Sequence, residues 1–300
     1  MKKALCVGIN NYPGFQNDLN GCINDANDWS SLLQRFGFQV TQILDSTAKR
    51  SKIKTDLQAM ITESEAGDVL VFTYSGHGTS IPDTSGDEAD SYDEALYVYD
   101  GSILDDELRD IFKSIPAGVQ MIVILDSCFS GTATRVLLEE TSRRRYLELY
   151  PVSQLAGLKK NKEFLIGEDM KEILVAGCGD NEYSYDAYIN GRYNGAFTRF
   201  AIDTIKDTLS YEEFMNLLRQ KLPSRDYPQT PQLECSTNNA TLLLFSPSVD
   251  SGVDEPGQPT EPSPDNPIEP PKQSWWQRNW KKILWGVIII VLIIVSIRYC

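Results

Sequence analysis

The 300 residues carry 42 acidic against 28 basic side chains, a formal net charge of -14 at pH 7, which excludes a nucleic-acid partner because a polyphosphate would be repelled before any specific contact formed. A single histidine, His77, removes zinc fingers, HExxH peptidases and His-rich iron centres together. Six cysteines without a CxxC pair form neither a dense disulfide framework nor a zinc ribbon, and suit a reduced cytosolic setting.

The chain opens on MKKALCVGIN, where Gly8 and Asn10 interrupt the apolar run too early for a signal-peptide core. Ala4 to Ile9 reads instead as a strand. Helical periodicity follows over Asn24 to Phe36, a strand over Phe38 to Leu44, a helix over Ala48 to Glu63 and a strand over Val69 to Tyr74. Asp105 to Ser114 reads as a helix with Asp105 as its cap, Met121 to Leu125 and Ile173 to Ala176 as strands, and Phe197 to Ile205 as a helix. Tyr211 to Gln220 is a further helix capped by Ser210, and Ala240 to Phe245 a last strand. Several strands are apolar throughout, as in a sheet covered on both faces. The alternation therefore predicts an α/β fold around a mainly parallel six-stranded sheet. Residues 132–168, with the charged runs ETSRRRYLELY and LKKNKE, read as a partly helical, exposed insertion in a domain spanning 1–247.

Residues 248–274 read as a linker, since 256–271 hold seven of the fifteen prolines and favour extended, polyproline-like chain. Residues 275–300 then join WWQRNWKK to fifteen uncharged residues, Ile283 to Ile297, closed by Arg298. A membrane span needs about 17–25 residues. The tryptophans and Arg278, Lys281 and Lys282 supply an interfacial flank, and the basic side favours the cytoplasm. A C-terminal transmembrane helix is expected, a single-pass anchor with the catalytic domain facing the cytoplasm. Five acids and five bases leave 251–300 neutral, so the first 250 residues carry the whole charge.

Two strand ends carry chemistry. VLVFTYSGHG puts His77 directly after a buried strand, and MIVILDSCFSG does the same for Cys128, 51 residues later. The carboxyl edge of an open α/β sheet is where ligands bind. An imidazole there can take a thiol proton, and backbone N–H groups in a glycine-containing turn can stabilise an oxyanion. A Cys-His dyad is expected on neighbouring strands, with the backbone N–H groups of Cys128 and Gly78 as oxyanion donors. The sequence offers no evident third member of a triad.

Beyond that chemistry, the chain resembles the metacaspases, in particular the compact bacterial type I forms within the caspase-like cysteine peptidases. YSGHG at 74–78 and DSCFSG at 126–131 resemble the family's His and Cys boxes. GINNY at 8–12, GCINDA at 21–26 and GCGDNEYS at 177–184 add agreement over roughly residues 1–247. The resemblance implies a caspase-like α/β/α sandwich and cleavage of polypeptides after Arg or Lys, with Asp25, Ser75 and Asp126 lining an acidic S1 pocket. Two recessed carboxylates favour a cationic side chain and repel an aspartate.

The chemistry itself requires no cofactor. The resemblance further implies calcium as an activator at Asp93, Asp105 and Asp106, although Arg135 stands where a fourth acidic ligand is expected. Arg143, Arg144, Arg145, Lys159, Lys160 and Lys162 put the presumed specificity into the 132–168 loop, so self-cleavage there is expected. Two other readings use the same residues: a catalytically quiet caspase-like scaffold at a membrane, and a different Cys-His hydrolase. The unpaired sheet edge accepts a peptide or another protomer, leaving oligomeric state open.

Overall fold

The computed structural model describes residues 1–82, 91–128, 142–150, 159–160, 170–179 and 182–247. The first half contains β1 (Lys2–Gly8), α1 (Cys22–Arg35), β2 (Gln39–Leu44), α2 (Arg50–Thr62), β3 (Val69–Ser75), β4 (His77–Pro82), β5 (Ser91–Val98), β6 (Gly101–Leu104) and α3 (Asp105–Lys113). Then follow β7 (Gln120–Asp126), β8 (Arg143–Arg144), β9 (Lys159–Lys160), β10 (Ile173–Ala176), β11 (Tyr185–Ile189) and β12 (Arg192–Gly195). Last come α4 (Ala196–Ile202), α5 (Tyr211–Leu218), β13 (Gln232–Glu234) and α6 (Thr237–Ala240).

The main sheet has the order β13-β10-β7-β3-β1-β2, parallel except for β13, which runs antiparallel to β10. Its middle strands β3 and β7 are buried at every residue, which explains their mostly apolar sequence, with polar side chains confined to Thr73 and the strand ends Ser75, Gln120 and Asp126. Successive side chains leave opposite faces. Leu70 and Phe72 meet Ile53 and Leu57 of α2 and Leu108 and Phe112 of α3. Val69 and Val71 meet Trp29 and Leu33 of α1, Phe197 of α4 and Phe214 of α5. This is the expected α/β/α sandwich. Truncating Phe72 to alanine removes packing on a fully buried face and costs about 3–5 kcal/mol.

Helix ends follow local chemistry. Ser210 caps α5 in a reciprocal box with Glu213, as predicted. Asp105 is the first residue of α3 rather than its cap, a place held by Leu104. Gly21 precedes α1 without a side chain to cap it, so Asn10 reaches across: its Oδ1 accepts the N–H groups of Cys22 (2.8 Å) and Ile23 (3.2 Å).

The sixth strand is a correction. Ala240 to Phe245 is not a strand but the end of α6 and a turn, while Gln232–Glu234 supplies the edge. Ser236 caps α6 by accepting from Asn239 N–H. The apolar residues beyond it make only a single antiparallel bridge, Leu243 to Ser210, and then plug the core: Phe245 is buried and meets Phe36 and Phe38 edge-on, at centroid distances of 5.1 and 5.9 Å.

Of residues 132–168, 142–150 and 159–160 are described: Arg143–Arg144 and Lys159–Lys160 form short strands, and Arg145, expected to be exposed, is wholly buried. β8 joins a small sheet with β11 and β12, and β9 pairs with β5 of the β4-β5-β6 sheet. The chain divides into units 1–250 and 251–300. Among the described residues no helix is long and apolar enough to cross a membrane. The expected linker (248–274) and anchor (275–300) lie outside the described residues.

Candidate active site

β3 and β7 are neighbours, and their register sets Ser75 beside Asp126, so the segments bearing His77 and Cys128 leave one edge of the sheet together. The turn between β3 and His77 needs glycine. A Cβ on Gly76 would lie 2.6 Å from the Tyr74 hydroxyl and 2.7 Å from that of Tyr12. Those two hydroxyls fix the histidine backbone: Tyr12 accepts from His77 N–H (2.9 Å), and Tyr74 lies 2.8 Å from the His77 carbonyl.

The imidazole Nε2 is 2.7 Å from the carbonyl of Asn17. A carbonyl only accepts, so Nε2 carries the proton and Nδ1 holds the lone pair. Nδ1 is buried and has no partner among the described residues. Burial pushes the His77 pKa down to about 4, so the ring is neutral at pH 7, ready to accept a proton. The group that holds the imidazole at Nε2 is thus a backbone carbonyl, which leaves no side-chain signal in the sequence.

Cys128 is wholly buried. Its sulfur accepts the backbone N–H of Ser184 at 2.6 Å and lies 3.3 Å from the Ser184 carbonyl. Cys178 sits alongside, its thiol pushed up by a hydrogen bond to Cys128 and by burial.

Next to these groups lies an acidic pocket, and an arginine of the same chain fills it. Arg145 Nη2 is 2.6 Å from Asp25 Oδ2 and 3.1 Å from Asp186 Oδ1, and Nη1 is 3.3 Å from Asp126 Oδ2 and 3.1 Å from the Asp126 carbonyl. All four side chains are essentially fully buried. Burial opposes the guanidinium charge, but the carboxylates of Asp126, Asp25 and Asp186 outweigh it and keep Arg145 protonated. Each acid is also held from behind. Asp25 accepts Gly195 N–H (3.0 Å) and Asn194 Nδ2 (2.9 Å), and Asp126 accepts Thr198 N–H (3.0 Å), Thr198 Oγ1 (2.7 Å) and the Ser184 hydroxyl. Asp186 accepts the N–H groups of Asn20 and Gly21 at 2.8 Å each. Burial first, and the Asp126 charge with it, push the Asp25 pKa upward against the pull of Arg145, as expected when three acids share one cation.

The backbone of Arg145 is held as closely as its side chain. Its carbonyl oxygen accepts N–H from Gly78 (2.9 Å) and Cys128 (3.1 Å), and its own N–H donates to the Ser184 carbonyl (3.0 Å). The chain continues in extended form: Leu147 N–H donates to the Gly78 carbonyl (2.9 Å), and Thr79 Oγ1 to that of Leu147 (2.8 Å). The two expected oxyanion donors thus converge on one oxygen.

Of the expected S1 residues, Asp25 and Asp126 touch the guanidinium, and Ser75 is buried beside Asp126 in the register. Asp186 was missed. It stands in YSYDAYIN with no informative spacing, and only the pairing of β11 brings it to the pocket. Of the basic residues expected in an exposed loop, Arg143 is exposed, Arg144 half-buried and Arg145 inaccessible. Lys159 and Lys160 form β9. Lys162 and Arg135 lie outside the described residues.

Asp93, Asp105 and Asp106 do come together, with carboxylate oxygens within 4.8 Å of one another. Such hard oxygen donors fit calcium. Burial pushes Asp105 up to about 6, a penalty that a cation relieves. Arg109 already supplies one, pairing with Asp105 at 3.0 Å and with Asp106.

A family model described as the metacaspase, peptidase C14 domain matches residues 2–137. Metacaspase-1 of Schizosaccharomyces pombe is 32% identical over 287 residues, which cover 78% of this chain and 67% of the relative. Metacaspase-1B of Aspergillus oryzae is 30% identical over 294 residues, covering 81% and 70%. Among solved structures, a Geobacter sulfurreducens protein superposes with TM-score 0.62 at 27% identity, over 82% of this chain and 98% of its own. Caspase-1 of Spodoptera frugiperda shares the fold, with TM-score 0.51 at 15% identity over 78% and 85% of the two chains. With relatives this similar along most of its length, the chain belongs to the metacaspases, caspase-like cysteine peptidases.

Proposed function

We propose that this metacaspase is an endopeptidase that cleaves after arginine or lysine with Cys128 as nucleophile and His77 as acid and base, and that its own Arg145–Tyr146 bond is a substrate. One observation carries the reading. Arg145 puts its guanidinium among three carboxylates while its carbonyl oxygen accepts from the N–H groups of Gly78 and Cys128, which is how a P1 residue must lie for attack.

In the reaction, His77 Nδ1 takes the thiol proton, and Cys128 Sγ bonds to the Arg145 carbonyl carbon. The charge gathered on the carbonyl oxygen is met by the two N–H groups. Collapse breaks the C–N bond to Tyr146, whose nitrogen receives the proton from His77. Water then adds to the thioester and releases the new carboxylate and the free thiol. The Asn17 carbonyl keeps the ring oriented and stabilises the transient imidazolium. Until the bond is cut and the segment departs, the same contacts exclude other substrates, so self-cleavage doubles as activation.

Peptides differing only at P1 test this. Cleavage is expected after Arg and Lys, not after Asp or Leu, and is abolished in Cys128→Ala; equal rates across the panel would refute it. Calcium is proposed as an activator bound by Asp93, Asp105 and Asp106, where it would neutralise clustered charge beside α3. From its sequence, the 275–300 tail is proposed as a single-pass membrane anchor that leaves the peptidase in the cytoplasm. Recovery of the full chain in the soluble fraction without detergent would contradict that.

A further inference from the structure

The segment that fills the pocket also touches the surface on either side of it. In an extended strand successive side chains point to opposite faces. Arg145 enters the acidic pocket, so Arg144 points away from it, and its guanidinium carbon lies 4.5 Å from the ring centroid of Tyr183. The ring is 5% exposed. Backbone pairing fixes this register: β8 runs antiparallel to β11, with Arg144 opposite Tyr185 and Arg143 opposite Asp186, and Arg145 N–H bonds to Ser184.

We infer that Tyr183 is the floor of a second subsite that takes a guanidinium at P2, making paired arginines the preferred cleavage sequence. The inference rests on reading Arg145 as P1 and extends it by one residue. A planar guanidinium lying over an aromatic face is attracted by the ring quadrupole, and more strongly when water is excluded. The strongly acidic charge of the chain favours approach of a doubly cationic segment.

The test compares two peptides with arginine at P1, one with arginine and one with leucine at P2, in wild type, Tyr183→Phe and Tyr183→Leu. In wild type the arginine peptide is expected to have a kcat/KM higher by about 2- to 30-fold, mainly through KM. Phenylalanine preserves that ratio and leucine brings it to about one, each variant serving as its own reference. A wild-type ratio near one, or an undiminished ratio in Tyr183→Leu, overturns the subsite. Should Tyr183→Leu fail to fold, Arg144→Leu in the full chain gives the same answer: self-cleavage slows by the wild-type ratio, and an unchanged rate overturns the inference. Loss of all preference for a basic P1 residue would instead refute the function proposed above, and this subsite with it.

Discussion

Gly195 provides a demanding test of the acidic pocket. Its backbone conformation, φ -65° and ψ 134°, is one that alanine adopts without strain, so only the added methyl group matters. That carbon would lie 2.6 Å from Arg145 Nη1 and closer still to the Asp126 carboxylate, against an ordinary contact of about 3.5–4 Å. Asp126 Oδ2 is the nearest atom and Arg145 Nη1 the next, so the carboxylate, although held by Thr198 and Ser184, and the guanidinium paired with it must both shift and their contact is lost. Losing two charge-assisted hydrogen bonds at about 1.5–3 kcal/mol each lowers kcat/KM for an arginine-P1 peptide by about 10²- to 10⁴-fold. The assay is steady-state hydrolysis of that peptide by Gly195→Ala, with circular dichroism to verify the fold. A folded variant within about threefold of wild type, a difference below 1 kcal/mol, would refute the placement of the P1 side chain.

Other expectations follow from the same geometry. With His77 held near 4, the neutral ring persists to lower pH than in a free histidine, so the rate of self-cleavage should fall only as pH approaches 4; an acid limb centred at 6.5 or above would contradict this. Asn10→Ala removes the cap from α1 and is expected to destabilise the domain by about 1 kcal/mol, a fall in Tm of about 2–4 °C. An unchanged melting curve would show that Asn10 caps nothing of consequence. Asp93→Asn is expected to abolish calcium binding measured by titration calorimetry, and wild-type activity indifferent to both EGTA and added calcium would reject the metal site.

Much of this arrangement was readable before the fold was known. β3 and β7 declare themselves because a strand buried on both faces has little room for polar residues, and His77 and Cys128 stand at the ends of those strands beside glycines. Parts that depend on pairing between distant segments were not readable. Asp186 is one acid in a polar hairpin strand, and nothing in YSYDAYIN marks it as the third carboxylate of a pocket built by α1 and β7. Ala240 to Phe245 is as apolar as a strand, yet Phe245 spends that character on a plug between Phe36 and Phe38. Arg145 reversed expectation most fully. A basic run reads as solvated surface, and only the convergence of Asp25, Asp126 and Asp186 on its guanidinium explains its burial.

The most direct measurement is the intact mass of the full chain after incubation, beside that of Cys128→Ala. The account predicts two wild-type fragments meeting at Arg145 and Tyr146, and one undivided mass for the variant. An undivided wild-type chain that nonetheless cleaves arginine-P1 peptides, or a boundary at another residue, would contradict it.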